Sequence, residues 1–195
     1  CIIATGSKAF VLPIPGSDLP SVIGWRTIDD TKRMMEIAQT KHKAIVIGGG
    51  LLGLECARGL LDQGMEVTVV HLAEWLMEMQ LDRKVGQMLK NDLEQQGMRF
   101  ELQANTQEIL GHEDVESVRL ADGRVLEVDL VVMAVGIRPY TEVAKAAGLE
   151  VNRGIIVNAY MQTSDPNIFA VGECAECEGK VYGLVAPLYE QGIVL

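Results

Sequence analysis

The chain has 195 residues, 48% of them apolar, and carries a formal net charge of −10. That length supports one good core or one and a half, and the acidic balance argues against nucleic acid or an anionic membrane as partner. No apolar run approaches the ~20 residues needed to span a bilayer, so neither a membrane partner nor a transmembrane helix is expected.

The chain opens on Cys1-Ile2-Ile3-Ala4. This apolar run lacks the charged start and the length of a signal peptide, and reads as a strand cut in its middle, as in a fragment. Pro13, Pro15, Gly16, Pro20 and Gly24 then punctuate a loop. Thr27-x-x-Asp30 has the form of a capping box for a helix running to about Gln39. Lys43 to Ile47 is a short, β-branched strand that runs straight into Gly48-x-Gly50-x-x-Gly53. A helix from Leu51 to about Asp62 follows and stops at Gly64. Next come a strand from Glu66 to His71, a helix from about Leu81 to Gln95 closed by Gly97, and the strand Met98 to Leu102. Three alternating segments near 106–110, 115–121 and 124–128 read as short antiparallel strands, the last two joined at Asp122-Gly123. Asp129 to Val135 is almost continuously apolar, as a strand covered on both faces should be. Past Pro139 the pattern gives a short helix (Thr141 to Ala147) and strands at Ile155–Val157 and Ile168–Val171. This order predicts an α/β fold: a Rossmann-like parallel sheet carrying an antiparallel β-meander.

The glycine turn is the chief chemical signal. Gly48 permits the tight exit from the strand, Gly50 allows close backbone approach to a pyrophosphate, and Gly53 lets the helix pack on the sheet. The N–H groups of Leu51 and Leu52, at the positive end of the helix, then face the phosphates. Residue 71, at the end of the second strand, is where such sites usually place an acid for the adenosine ribose or offer an Arg for a 2′-phosphate. Here it is His71, and residues 71–78 contain no Lys or Arg. The imidazole could meet a ribose hydroxyl, lie against adenine, or simply be an exposed strand-end side chain. Without a basic group the site favours NADH over NADPH.

Of the four cysteines, Cys56 falls on the apolar face of a helix, and Cys1, Cys174 and Cys177 complete a set better suited to a reducing cytoplasm than to a disulfide scaffold. Cys174-x-x-Cys177 lacks the further ligands a metal would need, so no metal site is expected. No Ser/His/Asp constellation is present and no side chain is assigned a catalytic role; hydride transfer between two cofactors needs none.

Four motifs in order carry a family resemblance: Ala4-Thr5-Gly6; Gly48-x-Gly50-x-x-Gly53-x-Glu55; Ala134-Val135-Gly136-x-Arg138-Pro139; and Thr163-Ser164-x-Pro166-x-Ile168-Phe169-Ala170-Val171-Gly172-Glu173. Together they resemble the FAD-dependent pyridine nucleotide-disulfide oxidoreductases. His71 to Asp82 and Val171 to Gln191 are most similar to the large subunits of assimilatory NAD(P)H nitrite reductases. The resemblance implies an NAD(P)-binding domain at about 25–138 set into partial FAD-domain segments at 1–24 and 139–195. It places Glu55 near the nicotinamide carboxamide, although a surface glutamate favoured by the helix dipole would look the same. Gly136 is likewise assigned to NAD, and Thr5, Gly6, Gly172 and Glu173 to FAD. Glu173 stands where the family usually has an Asp on the flavin ribityl chain, and its extra methylene can still reach; a strand-end acid capping the next helix is the other reading.

The implied function is passage of hydride from NADH to FAD in assimilatory nitrite reduction, with the remainder of the polypeptide as electron acceptor. Siroheme and iron–sulfur cluster would belong to regions outside this sequence, as would the amino-terminal FAD glycine motif, so the chain alone is not expected to complete the reaction. An NADH-dependent rubredoxin or ferredoxin reductase, or a non-catalytic dinucleotide-binding regulatory module, fits the same motifs. With its central FAD-domain strand missing, the carboxy-terminal segment is expected to be disordered or paired with a second copy as a homodimer.

Overall fold

Two short strands, β1 (Ile2–Ile3) and β2 (Ser7–Ala9), precede the alternating part of the chain. The elements β3 (Val22–Gly24), α1 (Ile28–Ala38), β4 (Lys43–Ile47), α2 (Leu51–Asp62), β5 (Glu66–Val70), α3 (Arg83–Gln95) and β6 (Arg99–Glu101) then follow. A meander of β7 (Thr106–Leu110), β8 (Ser117–Leu120) and β9 (Val125–Glu127) leads into β10 (Leu130–Met133). The computed structural model describes residues 1–195 and divides into two units, Ala9–Gly136 and Cys1–Lys8 with Ile137–Leu195.

The larger unit is built on a five-stranded sheet of order β3-β10-β4-β5-β6, parallel throughout. Its central strands are apolar on both faces because both faces are covered. Ala44 and Val46 of β4, and Leu130 and Val132 of β10, pack with Met34 of α1, with Leu54, Ala57 and Leu60 of α2, and with Leu89 and Leu93 of α3. The alternate residues Ile45, Ile47, Val131 and Met133 pack with Ile109, Val118 and Leu120 of the meander. The period of two along each strand thus feeds two separate apolar layers. Each fully buried Val or Leu in them is worth about 1.5–3 kcal/mol. The helix starts follow their sequence signals. Thr27 accepts from the Asp30 N–H at 3.2 Å while the Asp30 carboxylate accepts from the Thr27 N–H at 2.7 Å, closing the capping box. The Asp82 side chain caps α3 through Val85. No helix is long and apolar enough to cross a membrane.

The larger unit takes in residues ahead of residue 25. β3 pairs with β10 through Val22↔Val131, Ile23↔Val132 and Gly24↔Met133. Leu12, Ile14 and Leu19 pack against the meander-side layer, and a Cβ on Gly16 would lie 2.0 Å from the Ile109 carbonyl. Three strand residues among so many Pro and Gly leave no readable periodicity, so β3 was hidden inside an apparent loop.

In the second unit, β11 (Ile137–Pro139) and α4 (Glu142–Ala146) are followed by β12 (Ile155–Val157) and β13 (Phe169–Ala170). A 3-10 turn at Gly172–Cys174 leads to β14 (Ala175–Cys177), β15 (Lys180–Val181) and α5 (Val185–Val194). The strands expected to lack neighbours each find one within the chain. β1 lies parallel to β13 through Ile2↔Phe169 and Ile3↔Ala170, and β12 pairs with β14, which pairs with β15. Ala144, Leu149, Ile155, Ala170 and Cys174 form their own small core. The buried Glu176 carboxylate accepts from Gly154 N–H at 2.8 Å and Asn152 Nδ2 at 2.9 Å. Those bonds, the Gly154 one foremost, outweigh burial and hold its carboxyl below the usual range.

One polar clamp ties three segments of the larger unit together. Asp114 Oδ1 accepts from the Ser21 N–H at 3.0 Å and the Val115 N–H at 2.8 Å, while Oδ2 is ion-paired with Lys41. Burial alone would raise this carboxyl, but the bonds from Lys41, Ser21 and Val115 outweigh it and hold the pKa at about 2, against an ordinary 3.8. A folded-state value below the unfolded one means that the stabilisation is complete above about pH 4 and is lost as the pH falls toward 2. Asp114→Asn should therefore lower the melting temperature at neutral pH and flatten its fall between about pH 4 and pH 2, as measured by thermal denaturation across that window.

Candidate functional site

β4 leads through α2 outward to β5 and β6, whereas its other neighbour, β10, leads out of the sheet, so the chain departs in different directions from these two adjacent strand ends. In open parallel sheets the crevice beyond the carboxyl ends of two such strands is where ligands bind. The Gly48–Gly50 turn and the Ala134–Gly136 segment lie there. Gly48 has φ +121°, and a Cβ on it would lie 2.3 Å from the Ala134 carbonyl oxygen. One on Gly53 would lie 1.9 Å from the Gly48 carbonyl oxygen. Gly50 is different: nothing lies within 4 Å of where its Cβ would be, and its φ of −84° is ordinary. Two glycines are thus required by close backbone contact, and the third keeps a surface open.

Gly50 caps α2 without any side-chain hydrogen bond, and the first backbone bond of the helix runs from Leu54 N–H to Gly50 O at 3.0 Å. The N–H groups of Leu51, Leu52 and Gly53 therefore have no partner within the helix. Leu51 and Leu52 are half exposed. The turn opens on a cavity of about 400 Å³ walled by Ile47, Val70, Leu72, Ala104 and Val135 and reached by His71, Glu78, Asn105 and Thr106. Thr106 lines the wall, but its hydroxyl is buried in the protein behind that wall and has no hydrogen-bond partner. A mostly apolar pocket beside an uncapped helix start and a bare glycine suits a purine nucleoside joined to a pyrophosphate.

His71 reaches this cavity but is buried rather than exposed, and both its nitrogens are engaged. Nδ1 accepts from the Gly49 N–H at 3.0 Å, which puts the ring proton on Nε2, 3.0 Å from Glu78 Oε2. A ribose hydroxyl was one of several partners the sequence left open for this ring; in the folded chain both nitrogens already have partners within the protein. Gly49, the unassigned residue between Gly48 and Gly50, is held on both sides. Its N–H binds His71, its carbonyl accepts from Met77 N–H at 3.0 Å, and a Cβ would lie 2.7 Å from the His71 ring. The unbroken run Gly48-Gly49-Gly50 was the available signal for it.

Glu55 does not border the glycine-turn cavity. It lies exposed on α2, beside a separate cleft of about 170 Å³ that includes Trp25, Thr31, Met34 and Met35. Gly136 has φ +104°, and its carbonyl accepts from Phe10 N–H at 2.9 Å. In the smaller unit the four residues assigned to FAD are partly gathered. Ser7, next to Gly6, donates to Glu173 Oε2 at 2.7 Å, and Gly6 and Gly172 have nothing within 4 Å of a Cβ position. The Thr5 hydroxyl donates to the Tyr140 carbonyl at 2.8 Å, and the Gly172 N–H to Gln191 Oε1 at 2.8 Å. All four cysteines are free thiols; the Cys174 thiol points at the Val171 carbonyl, 3.2 Å away, and burial pushes the Cys56 thiol up to about 12.

An uncapped glycine turn at the switch point of a parallel α/β sheet, with a second unit presenting Gly-Glu at a strand end, defines a class of dinucleotide-binding protein. The chain belongs to the pyridine nucleotide-disulphide oxidoreductase family, which it matches over residues 1–192. It is 59% identical over 194 residues to the NAD(P)H nitrite reductase of Bacillus subtilis (strain 168), covering 100% of this chain and 24% of that protein. It is 53% identical over 194 residues to the assimilatory nitrate reductase electron transfer subunit of the same organism, covering 100% of this chain and 25% of that one. Among solved structures, a FAD-dependent pyridine nucleotide-disulphide oxidoreductase from Desulfovibrio vulgaris is 36% identical with a TM-score of 0.87, over 99% of this chain and 51% of that one. The chain thus spans about a quarter of the length of these two curated relatives.

The orphaned hydroxyl yields a test with two readouts. Thr106→Val keeps the shape and removes an unsatisfied buried group, so the free protein should gain about 1 kcal/mol of stability. Because that hydroxyl lies behind the cavity wall, NADH affinity should stay unchanged in the same variant, measured by calorimetric titration beside denaturant unfolding.

Proposed function

We propose that this chain is the NADH-binding part of a flavin oxidoreductase that passes hydride from NADH to FAD in assimilatory nitrite reduction. The observation that carries the reading is the bare Gly50 at the uncapped start of α2, facing a mostly apolar cavity at the carboxyl ends of the strands. The pyrophosphate would rest on the N–H groups of Leu51, Leu52 and Gly53, and the adenosine would fill the cavity beyond. Gly48 and Gly53 hold the helix start against the sheet so that those donors stay aimed. Gly136 and Glu55 belong to the same proposal, toward the nicotinamide half.

In the smaller unit, Glu173 oriented by Ser7, with Gly6, Gly172 and Thr5, would hold part of FAD. The nicotinamide supplies a hydride and the flavin ring accepts it, so the protein's work is to bind and orient. The onward acceptor, with siroheme and an iron–sulfur cluster, is proposed to lie in the remainder of a longer polypeptide, a reading supported by the share of the nitrite reductase that this chain covers. The buried Cys56 thiol, kept unpaired beside Met34, supports a cytoplasmic setting. Self-association as a homodimer is part of the proposal and draws support from the exposed Val185, Tyr189 and Ile193 of α5.

Gly50→Val is the discriminating variant. The new side chain meets no protein atom and adopts an ordinary backbone angle, so circular dichroism should be unchanged. It would occupy the approach to the phosphates, and calorimetric titration should show NADH binding abolished. Unaltered affinity in the folded variant would remove the assignment.

A further inference from the structure

We infer that Glu78 is the carboxylate that selects NADH over NADPH in this site, replacing the strand-end acid that residue 71 lacks, and that His71 positions it. The inference rests on the dinucleotide reading above and adds the source of its cofactor preference. His71 stands where an acid would ordinarily accept from the adenosine ribose hydroxyls. Its ring is committed at both nitrogens, and the outer one delivers a proton to Glu78 Oε2 at 3.0 Å. That contact engages one carboxylate oxygen. The other, Oε1, has no partner in the protein, and the side chain is one-third exposed on the cavity shared with the glycine turn.

The loop that carries Glu78 is held at several points, so little freedom remains to be lost when a ligand arrives. Met77, at φ +58°, donates its N–H to the Gly49 carbonyl at 3.0 Å and accepts from Gln80 and Leu81 N–H at 2.8 Å each. Leu76 is fully buried, and Trp75 Nε1 donates to the Leu81 carbonyl at 3.0 Å. The glycine turn that would take the pyrophosphate and the loop that presents the carboxylate are therefore one hydrogen-bonded unit. A ribose diol offers O–H donors that match a carboxylate oxygen. A 2′-phosphate in the same place would set two like charges together with no Lys or Arg lining the cavity to offset them. Arg83, the first basic residue after the strand, is ion-paired with Glu74.

The test is calorimetric titration of the full chain with NADH and with NADPH, comparing the unaltered protein with Glu78→Gln and Glu78→Lys. Gln keeps the size and an acceptor for the His71 Nε2–H while removing the charge. The expected result is NADH binding weakened by about tenfold in Glu78→Gln, NADPH binding tightened, and the preference reversed in Glu78→Lys. His71→Asn, which leaves the charge but removes its support, should lower the preference by a smaller factor. An unchanged ratio of the two affinities in both Glu78 variants, or equal loss for both cofactors, would overturn the role of Glu78 while leaving the dinucleotide site standing. Failure of the unaltered chain to bind either cofactor would overturn the site and the selector together.

Discussion

The start of α2 can lie where it does only because Gly53 touches the Gly48 carbonyl and Gly48 touches the Ala134 carbonyl, with room for hydrogen and nothing larger. This contact pins the positive end of a helix to the carboxyl ends of the two central strands, β4 and β10. Those strands are themselves fixed by apolar residues that feed one layer under the helices and another under the meander. A side chain at either glycine would lift the helix, open both layers and turn the free N–H groups away from the crevice. The chemistry of the site therefore depends on a packing constraint, and the packing on two missing methyl groups.

Around that contact the polar groups form one connected set. Gly49 is held from both sides, by His71 on its N–H and by Met77 on its carbonyl, and His71 hands on to Glu78. Each such bond adds only about 1 kcal/mol net, but breaking one inside a mostly apolar cavity leaves a partner unsatisfied at a cost of about 1–3 kcal/mol. The set accordingly behaves as a rigid frame. Thr106 is the exception beside it, a hydroxyl buried behind the cavity wall with nothing to bind.

The helices and central strands were legible because each carries its own punctuation: the capping box at Thr27, the glycine turn at 48–53, and the chain-reversing Gly64 and Gly97. The strand β10 was visible as an apolar run since both its faces are covered. Less could be read where partners are distant in sequence. β3 is three residues long and owes its state to β10, more than a hundred residues away. Glu78 shows no signal of its own; only the folded loop brings it to His71. His71 itself was legible as an oddity, a histidine in an acid's place, but the direction of its nitrogens depends on Gly49, marked only by the unbroken glycine run and not by the spaced motif. In the smaller unit, β14, β15 and α5 are short or evenly apolar, and the strands that looked unpartnered find neighbours far along the chain, such as Ile2 with Phe169.

The central claim is that the N–H groups at the start of α2 receive a pyrophosphate. Backbone-amide NMR of the labelled chain, titrated with NADH, observes those groups one by one. The account predicts that the largest saturable shifts fall on the amides of Gly49 to Gly53, with smaller ones at Thr106 and Glu78. Saturable binding that leaves residues 49–53 unmoved while shifting amides elsewhere would contradict it.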